Sequence, residues 1–144
     1  MKHKPRNPKE AIIAKKDSLR LFLPAILITI GTLVLFSIYY KNTSLVYAQT
    51  IAFTTLVLFE LANAMNYHVW DKTIFSKEFF KNKWLLRAIA GSLALQITVI
   101  YGFTDMFRTV ALTLGDWMIM TAIASTVIIF YEVWNRIRRH TLQT

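Results

Sequence analysis

The chain has 144 residues, of which 55% are hydrophobic and 17% are charged, and its mean hydropathy is +0.41. This composition excludes an intrinsically disordered chain and is more apolar than that of an ordinary water-soluble domain. With no cysteine, the chain has no disulfide scaffold or thiolate zinc site, and its net charge of +9 indicates contact with nucleic acid or an anionic membrane surface.

Four long apolar runs follow one another along the chain. Residues 21–40 contain no charge and would form roughly 30 Å of helix, the thickness of the hydrocarbon core of a bilayer. The later runs are residues 45–66, 84–103 and 117–134. They predict an all-α integral membrane four-helix bundle, with helices at about residues 18–41, 44–70, 82–103 and 114–138. Pro24 lacks a backbone donor, so the first helix should kink near it or begin there.

Lysine and arginine are distributed unevenly between the two sides that four spans define. Fifteen lie before the first span, around the loop between the second and third, or after the fourth, and the remaining two are Lys41 and Arg108. The positive-inside rule therefore places both termini in the cytoplasm. We expect a cytoplasmic segment at residues 1–17, a membrane domain at 18–139 and a tail at 140–144.

The side chains near the predicted span ends support this topology. Nine aromatic residues lie where amphipathic rings prefer the membrane interface: Tyr39, Tyr40, Tyr47, Trp70, Trp84, Tyr101, Trp117, Tyr131 and Trp134. The loop at residues 67–83 combines lysines with apolar side chains and predicts a short interfacial helix. The expected partner of the basic surface is a lipid bilayer and not nucleic acid, because no nucleic-acid-reading motif accompanies the charges.

Glu60 is the most informative polar residue, because it lies well inside the second span. Asn63 follows at a spacing of three, which puts both side chains on one helical face. A carboxylate in hydrocarbon costs a few kcal/mol and often marks an ion path. A carboxylate and an amide oxygen also suit a hard cation such as Ca²⁺, Mg²⁺ or Na⁺. The alternative is that Glu60 is protonated, or bonded to a neighbouring helix, and holds the bundle together.

The remaining polar residues predict no catalytic site. The sequence contains no Gly-rich phosphate loop, no Ser/His/Asp pattern and no histidine with a second metal ligand near it. Glu132 and Arg136 have the spacing of a helical ion pair. Small residues that permit close helix approach are Ala88, Gly91, Ser92, Ala122 and Ala124.

Several segments of the chain resemble the last four membrane helices of P-type cation-transporting ATPases, and the calcium-pump branch is the most similar. Residues 4–10 (Lys-Pro-Arg-Asn-Pro-Lys-Glu) resemble the Pro-Arg-x-Pro-x-Glu stretch that precedes the seventh membrane helix. Residues 52–66 (Ala-Phe-Thr-Thr-Leu-Val-Leu-Phe-Glu-Leu-Ala-Asn-Ala-Met-Asn) are similar to the eighth helix almost letter by letter. Residues 82–86 (Asn-Lys-Trp-Leu-Leu) and 114–117 (Leu-Gly-Asp-Trp) resemble the starts of the ninth and tenth helices.

This resemblance implies a four-helix membrane module in which Glu60 matches a carboxylate of a cation site and Asn63 matches a polar neighbour. The family's nucleotide-binding, phosphorylation and actuator domains and its first six membrane helices have no counterpart here. Calcium takes about six to eight oxygen ligands, more than Glu60 and Asn63 supply. We therefore expect no enzymatic activity, no cofactor, no complete metal site and no tight calcium binding by this chain alone.

Four functions fit these observations. The chain could be one polypeptide of a split pump, with the catalytic part of a P-type ATPase as its partner. It could equally be an inactive remnant of such a pump. A third possibility is a non-enzymatic membrane protein that binds and regulates an intact cation pump. A fourth is an oligomeric channel, although the polar residues of the second span occupy only its inner third.

Overall fold

The computed structural model describes residues 15–68 and 81–141, with side chains placed at residues 22–67 and 81–137. These residues form five helices: α1 (Lys15–Asn42), α2 (Leu45–His68), α3 (Lys83–Tyr101), α4 (Thr104–Phe107) and α5 (Leu114–Thr141). No strand occurs within the described ranges. Four helices are long and apolar enough to cross a membrane, over Phe22–Asn42, Leu45–Tyr67, Lys83–Tyr101 and Leu114–Ile137. The prediction of an all-α bundle of four membrane helices is confirmed.

Local hydrogen bonds explain where three of the long helices begin. The Ser44 hydroxyl accepts from the backbone N–H of Tyr47 (3.2 Å), and the Asn82 side chain accepts from the backbone N–H of Leu85 (3.1 Å). Both side chains satisfy a donor that the first helical turn leaves without a partner. Thr113 and Asp116 cap α5 reciprocally, since each accepts from the backbone N–H of the other. Pro24 lies inside α1, so the first helix does not begin at this residue, and a kink near it stays a prediction.

Short connections set the directions of the helices. Only Thr43 and Ser44 separate α1 from α2, so these two helices run antiparallel. Both α2 and α5 begin at the α1–α2 turn, whereas α3 runs in the opposite direction. We call the membrane face that holds this turn the turn end, and the face where α3 begins the basic end. The cytoplasmic location of both termini stays a prediction.

The core lies between α1, α2 and α5. Phe59 is fully buried there, together with Ile28, Val127 and Tyr131. Gly31 of α1 allows the close approach: a Cβ at this position would lie 2.6 Å from the Phe59 ring and 3.3 Å from Ile123 Cγ2. Gly31 is not among the small residues that the sequence pattern predicts for close helix approach.

Helix α3 packs more loosely than α2. Only 17% of the most apolar stretch of α3 is buried inside the bundle, compared with 44% of the corresponding stretch of α2. Its buried side chains, Gln96, Val99 and Ile100, all lie in its second half, near the turn end. A Cβ on Gly91 would meet nothing within 4 Å, so this glycine does not mediate a helix contact in the described structure. Most of the predicted cytoplasmic segment 1–17, and most of the loop 67–83 with its predicted interfacial helix, lie outside the described residues.

Candidate functional site

The two predicted cation-site residues lie on the outer part of α2. Glu60 is exposed, and it makes no hydrogen bond or ion pair with any other described residue. It lies four residues from the middle of the span Leu45–Tyr67, or about 6 Å along the helix axis. The carboxylate therefore reaches the surface of the bundle at the depth of the hydrocarbon core. No described residue of a neighbouring helix bonds to Glu60, so the described part of the chain does not show the alternative in which such a bond holds the bundle together.

Asn63 lies one turn from Glu60, toward the basic end. Its Oδ1 atom is buried and has no hydrogen-bond partner among the residues that the structure describes. Buried polar atoms are hydrogen-bonded in the great majority of cases, and an exception calls for an explanation. Asn66, the next amide side chain along α2, bonds inside the bundle instead: its Nδ2 donates to the Val127 carbonyl at 3.4 Å. Within residues 22–67 and 81–137, two oxygen-bearing side chains one turn apart, Glu60 and Asn63, thus have acceptors that no described donor uses.

Glu60 belongs to a continuous exposed row along α2, which we call the Glu60 stripe. The spacing of three and four residues keeps all members on one face of the helix. The members of the stripe are Gln49, Phe53, Leu56, Glu60, Ala64 and Tyr67. Opposite this row, α2 buries Ile51, Thr55, Phe59 and Ala62 against the bundle.

A cavity of about 330 Å³ lies at the turn-end limit of the stripe. Two of its lining residues, Gln49 and Phe53, are members of the stripe, and the others lie next to it, at the end of α4 or on the α4–α5 connection. The lining comprises Gln49, Thr50, Phe53, Phe107, Arg108 and Thr109. The outer face of α2 is therefore indented at one end and carries a carboxylate near its middle.

Asp116 is another acidic residue of the four spans, and both of its carboxylate oxygens accept hydrogen bonds inside the bundle. Asp116 is 6% exposed, and its carboxylate accepts hydrogen bonds from the Tyr39 hydroxyl (2.6 Å) and the Tyr47 hydroxyl (2.5 Å). It also accepts from the backbone N–H and the hydroxyl of Thr113, at 2.8 and 2.7 Å. These donors lie on α1, on α2 and just before α5, so one carboxylate joins three helices at the turn end. Sequence reasoning missed this cluster and interpreted both tyrosines as interfacial; the capping spacing of Thr113 and Asp116 was the available signal.

The described residues offer no complete metal site. No group of three or more His, Cys, Asp or Glu side chains comes together within residues 15–68 and 81–141. Glu60 supplies at most two oxygens and Asn63 one, whereas calcium takes about six to eight. Any cation held here would need most of its ligands from outside this part of the chain.

These features define a four-span membrane module whose outer face carries the exposed carboxylate of Glu60. Comparison with known proteins gives the family: residues 1–137 match the family model described as "Cation transporting ATPase, C-terminus". The chain belongs to this family, and it is a multi-pass integral membrane protein.

The relatives of the chain are calcium pumps. It is 40% identical to a calcium-transporting ATPase of Bacillus subtilis (strain 168) over 87% of its own length and 14% of the relative's. It is 36% identical to calcium-transporting ATPase type 2C member 2 of Rattus norvegicus over 92% of its length and 14% of the relative's. Identity to calcium-transporting ATPase 1 of Schizosaccharomyces pombe is 31%, over 98% of this chain and 16% of the relative. The chain thus spans about one seventh of the length of these relatives, in their C-terminal membrane part.

Proposed function

We propose that this chain is the C-terminal membrane module of a calcium-pump-like P-type ATPase, and that it completes a cation site together with the catalytic part of the pump. In this proposal the Glu60 stripe packs against membrane helices of the catalytic part. The observation that carries the proposal is the exposed carboxylate of Glu60, which has no partner among the described residues and lies at hydrocarbon depth.

The membrane position of Glu60 favours a protein partner over lipid. A charged side chain facing lipid near the centre of a bilayer costs about 2.5 kcal/mol or more, and such residues almost always face protein or a water-filled cavity. Lipid contact along the stripe would leave this cost uncompensated. Helices that present oxygen atoms, with a bound cation between them, would offset it.

The unpartnered oxygen of Asn63 supports the same proposal. Its Oδ1 atom is buried next to the Glu60 stripe, yet it accepts no hydrogen bond from a described residue. A cation shared with Glu60 would use this acceptor, because amide and carboxylate oxygens are typical calcium ligands. The remaining ligands would come from the catalytic part, since the described residues of this chain do not supply them.

Cysteine cross-linking tests the docking face directly. The chain has no native cysteine, so a single introduced cysteine is unique. Leu56→Cys places a thiol on the Glu60 stripe. Leu33→Cys is the matched control: it is an exposed leucine of α1, two residues from Gly31 and therefore on the other side of that helix. Both variants are expressed in the native membrane and treated with a thiol-specific cross-linker.

The proposal predicts that Leu56→Cys, but not Leu33→Cys, cross-links to a polypeptide that carries the phosphorylation domain of a P-type ATPase. Cross-linking only to a second copy of this chain would favour the channel, and would contradict the proposal. Cross-linking to a pump that already has its own C-terminal helices would favour the regulator. Equal labelling of the two variants, with no pump polypeptide attached, would favour the inactive remnant.

A further inference from the structure

The start of α3 contains an arginine that lies inside a membrane span. Arg87 occupies the second turn of the helix and is exposed. Its guanidinium carbon lies 5.1 Å from the centre of the Trp84 ring, which is a cation–π contact. The Trp84 side chain is itself 78% exposed, so the pair faces outward from the bundle.

The surroundings of Arg87 are basic. Lys81 and Lys83 are both exposed, and Lys83 and Arg87 lie four residues apart on one face of α3. The ring of Trp84 is the contact that the structure gives to the guanidinium, and no described carboxylate forms an ion pair with it. The positive end of the α3 dipole points the same way. We call Lys81, Lys83, Trp84 and Arg87 the Trp84 patch.

An open strip of small residues continues from the patch toward the membrane interior. Ala88 and Ala94 are exposed. A Cβ atom added to Gly91 would have no atom of the bundle within 4 Å. Gly91 lies one turn beyond Arg87 on the same face. A headgroup bound by the arginine would therefore have room for its glycerol and the upper part of an acyl chain directly below.

We propose that the Trp84 patch binds the phosphate of an anionic phospholipid headgroup. Arg87 would extend its side chain to the depth of the lipid phosphate and pair its positive charge with it, because long basic side chains near span ends reach toward the interface. The tryptophan ring lies at headgroup depth, where tryptophan is enriched, and holds the guanidinium plane. This proposal is independent of the pump function, because α3 carries the patch and α2 carries the Glu60 stripe.

Native mass spectrometry of the purified chain in detergent tests this proposal. The probes are phosphatidylglycerol and phosphatidylcholine, which share a phosphate and acyl chains but differ in net charge. The variants are Arg87→Gln and Lys83→Gln. The matched control is Lys41→Gln, which removes one positive charge from an exposed lysine at the turn end. Circular dichroism and gel filtration confirm that each variant keeps the helical fold.

We expect the unmodified chain to retain phosphatidylglycerol in preference to phosphatidylcholine. Each basic residue near a membrane surface contributes about fivefold to the binding of an anionic lipid, so Arg87→Gln and Lys83→Gln should each lower retention by about that factor. Lys41→Gln should leave it unchanged. Equal retention of the two lipids, or an equal loss in Lys41→Gln, would overturn the proposal. Displacement of phosphatidylglycerol by excess inorganic phosphate would also overturn it, because the patch would then be a general phosphate site.

Discussion

The hydroxyl of Tyr39 in α1 donates a 2.6 Å hydrogen bond to Oδ1 of Asp116 at the start of α5. Tyr47 of α2 donates to the other carboxylate oxygen, and the two tyrosine rings stack with centroids 5.9 Å apart. The bundle thus contains one acid whose acceptors are used within the chain and a second, Glu60, that has no partner among the described residues. Asp116 thus links three helices of the module, whereas Glu60 is the acid that we propose faces a partner.

The Asp116 carboxylate should contribute strongly to the stability of the bundle. Asp116→Asn removes the charge and turns an NH₂ group toward donors on Tyr39, Tyr47 or Thr113. Breaking a buried charged network in this way should lower the free energy of unfolding by about 3 kcal/mol. Asp105→Asn is the control, because Asp105 is exposed on α4 and should change stability by less than about 0.5 kcal/mol. Denaturant unfolding in detergent micelles measures both, and equal stabilities would contradict the structural role of Asp116.

The tyrosines allow a finer test of the same cluster. Tyr39→Phe removes only the hydroxyl, so it should cost about 1.5–3 kcal/mol, the range for a hydrogen bond to a charged group. Tyr40→Phe is the neighbouring control, since Tyr40 is 55% exposed. The comparison uses the same unfolding assay. A loss of stability in Tyr40→Phe as large as that in Tyr39→Phe would show that the hydrogen bond to Asp116 is not the cause.

The two glycines of α1 and α3 should respond in opposite ways to alanine. Gly31→Ala would push a methyl group into the Phe59 ring, which is fully buried, and should cost about 1–3 kcal/mol through overpacking. Gly91→Ala meets open space and should stabilise α3 by up to about 1 kcal/mol through its higher helix propensity. Thermal unfolding of the two variants measures the difference. A stabilised Gly31→Ala variant would contradict the close approach of α1 to α2.

Much of this architecture can be predicted from the sequence, because a bilayer imposes one length on every apolar helix. The predicted second helix, residues 44–70, compares with the observed Leu45–His68, and the predicted third, residues 82–103, with Lys83–Tyr101. The sequence also indicates Glu60 as a candidate site residue, because an acidic residue inside an apolar run has few explanations. The single turn of α4 was not predicted, because four residues carry no periodic signal.

The side-chain network at the turn end could not be predicted in the same way. Tyr39 and Asp116 are 77 positions apart, and only the packing of α1 against α5 brings them together. Tyrosine near a span end fits the interfacial belt equally well, so the residue type alone did not indicate a buried hydrogen bond. Likewise, Gln96 donates to Thr54 of α2 at 3.0 Å, a pairing that depends on the register between two helices.

The isolated module should tolerate the loss of the Glu60 charge. Glu60 makes no hydrogen bond or ion pair with a described residue, so Glu60→Gln should change the free energy of unfolding in micelles by less than about 0.5 kcal/mol. Asp116→Asn provides the contrast in the same assay. A large destabilisation by Glu60→Gln would indicate that the carboxylate holds the bundle together, and that it is not reserved for a partner.

Equilibrium binding of radioactive calcium, measured on the purified chain and on its complex with the catalytic part of the pump, shows whether the two parts share one cation site. We expect no micromolar binding by the chain alone, because Glu60 and Asn63 supply too few oxygens. We expect the complex to bind calcium, and Glu60→Gln in this chain to weaken that binding. Micromolar binding by the chain alone, or a complex whose calcium affinity is unaffected by Glu60→Gln, would contradict a shared site.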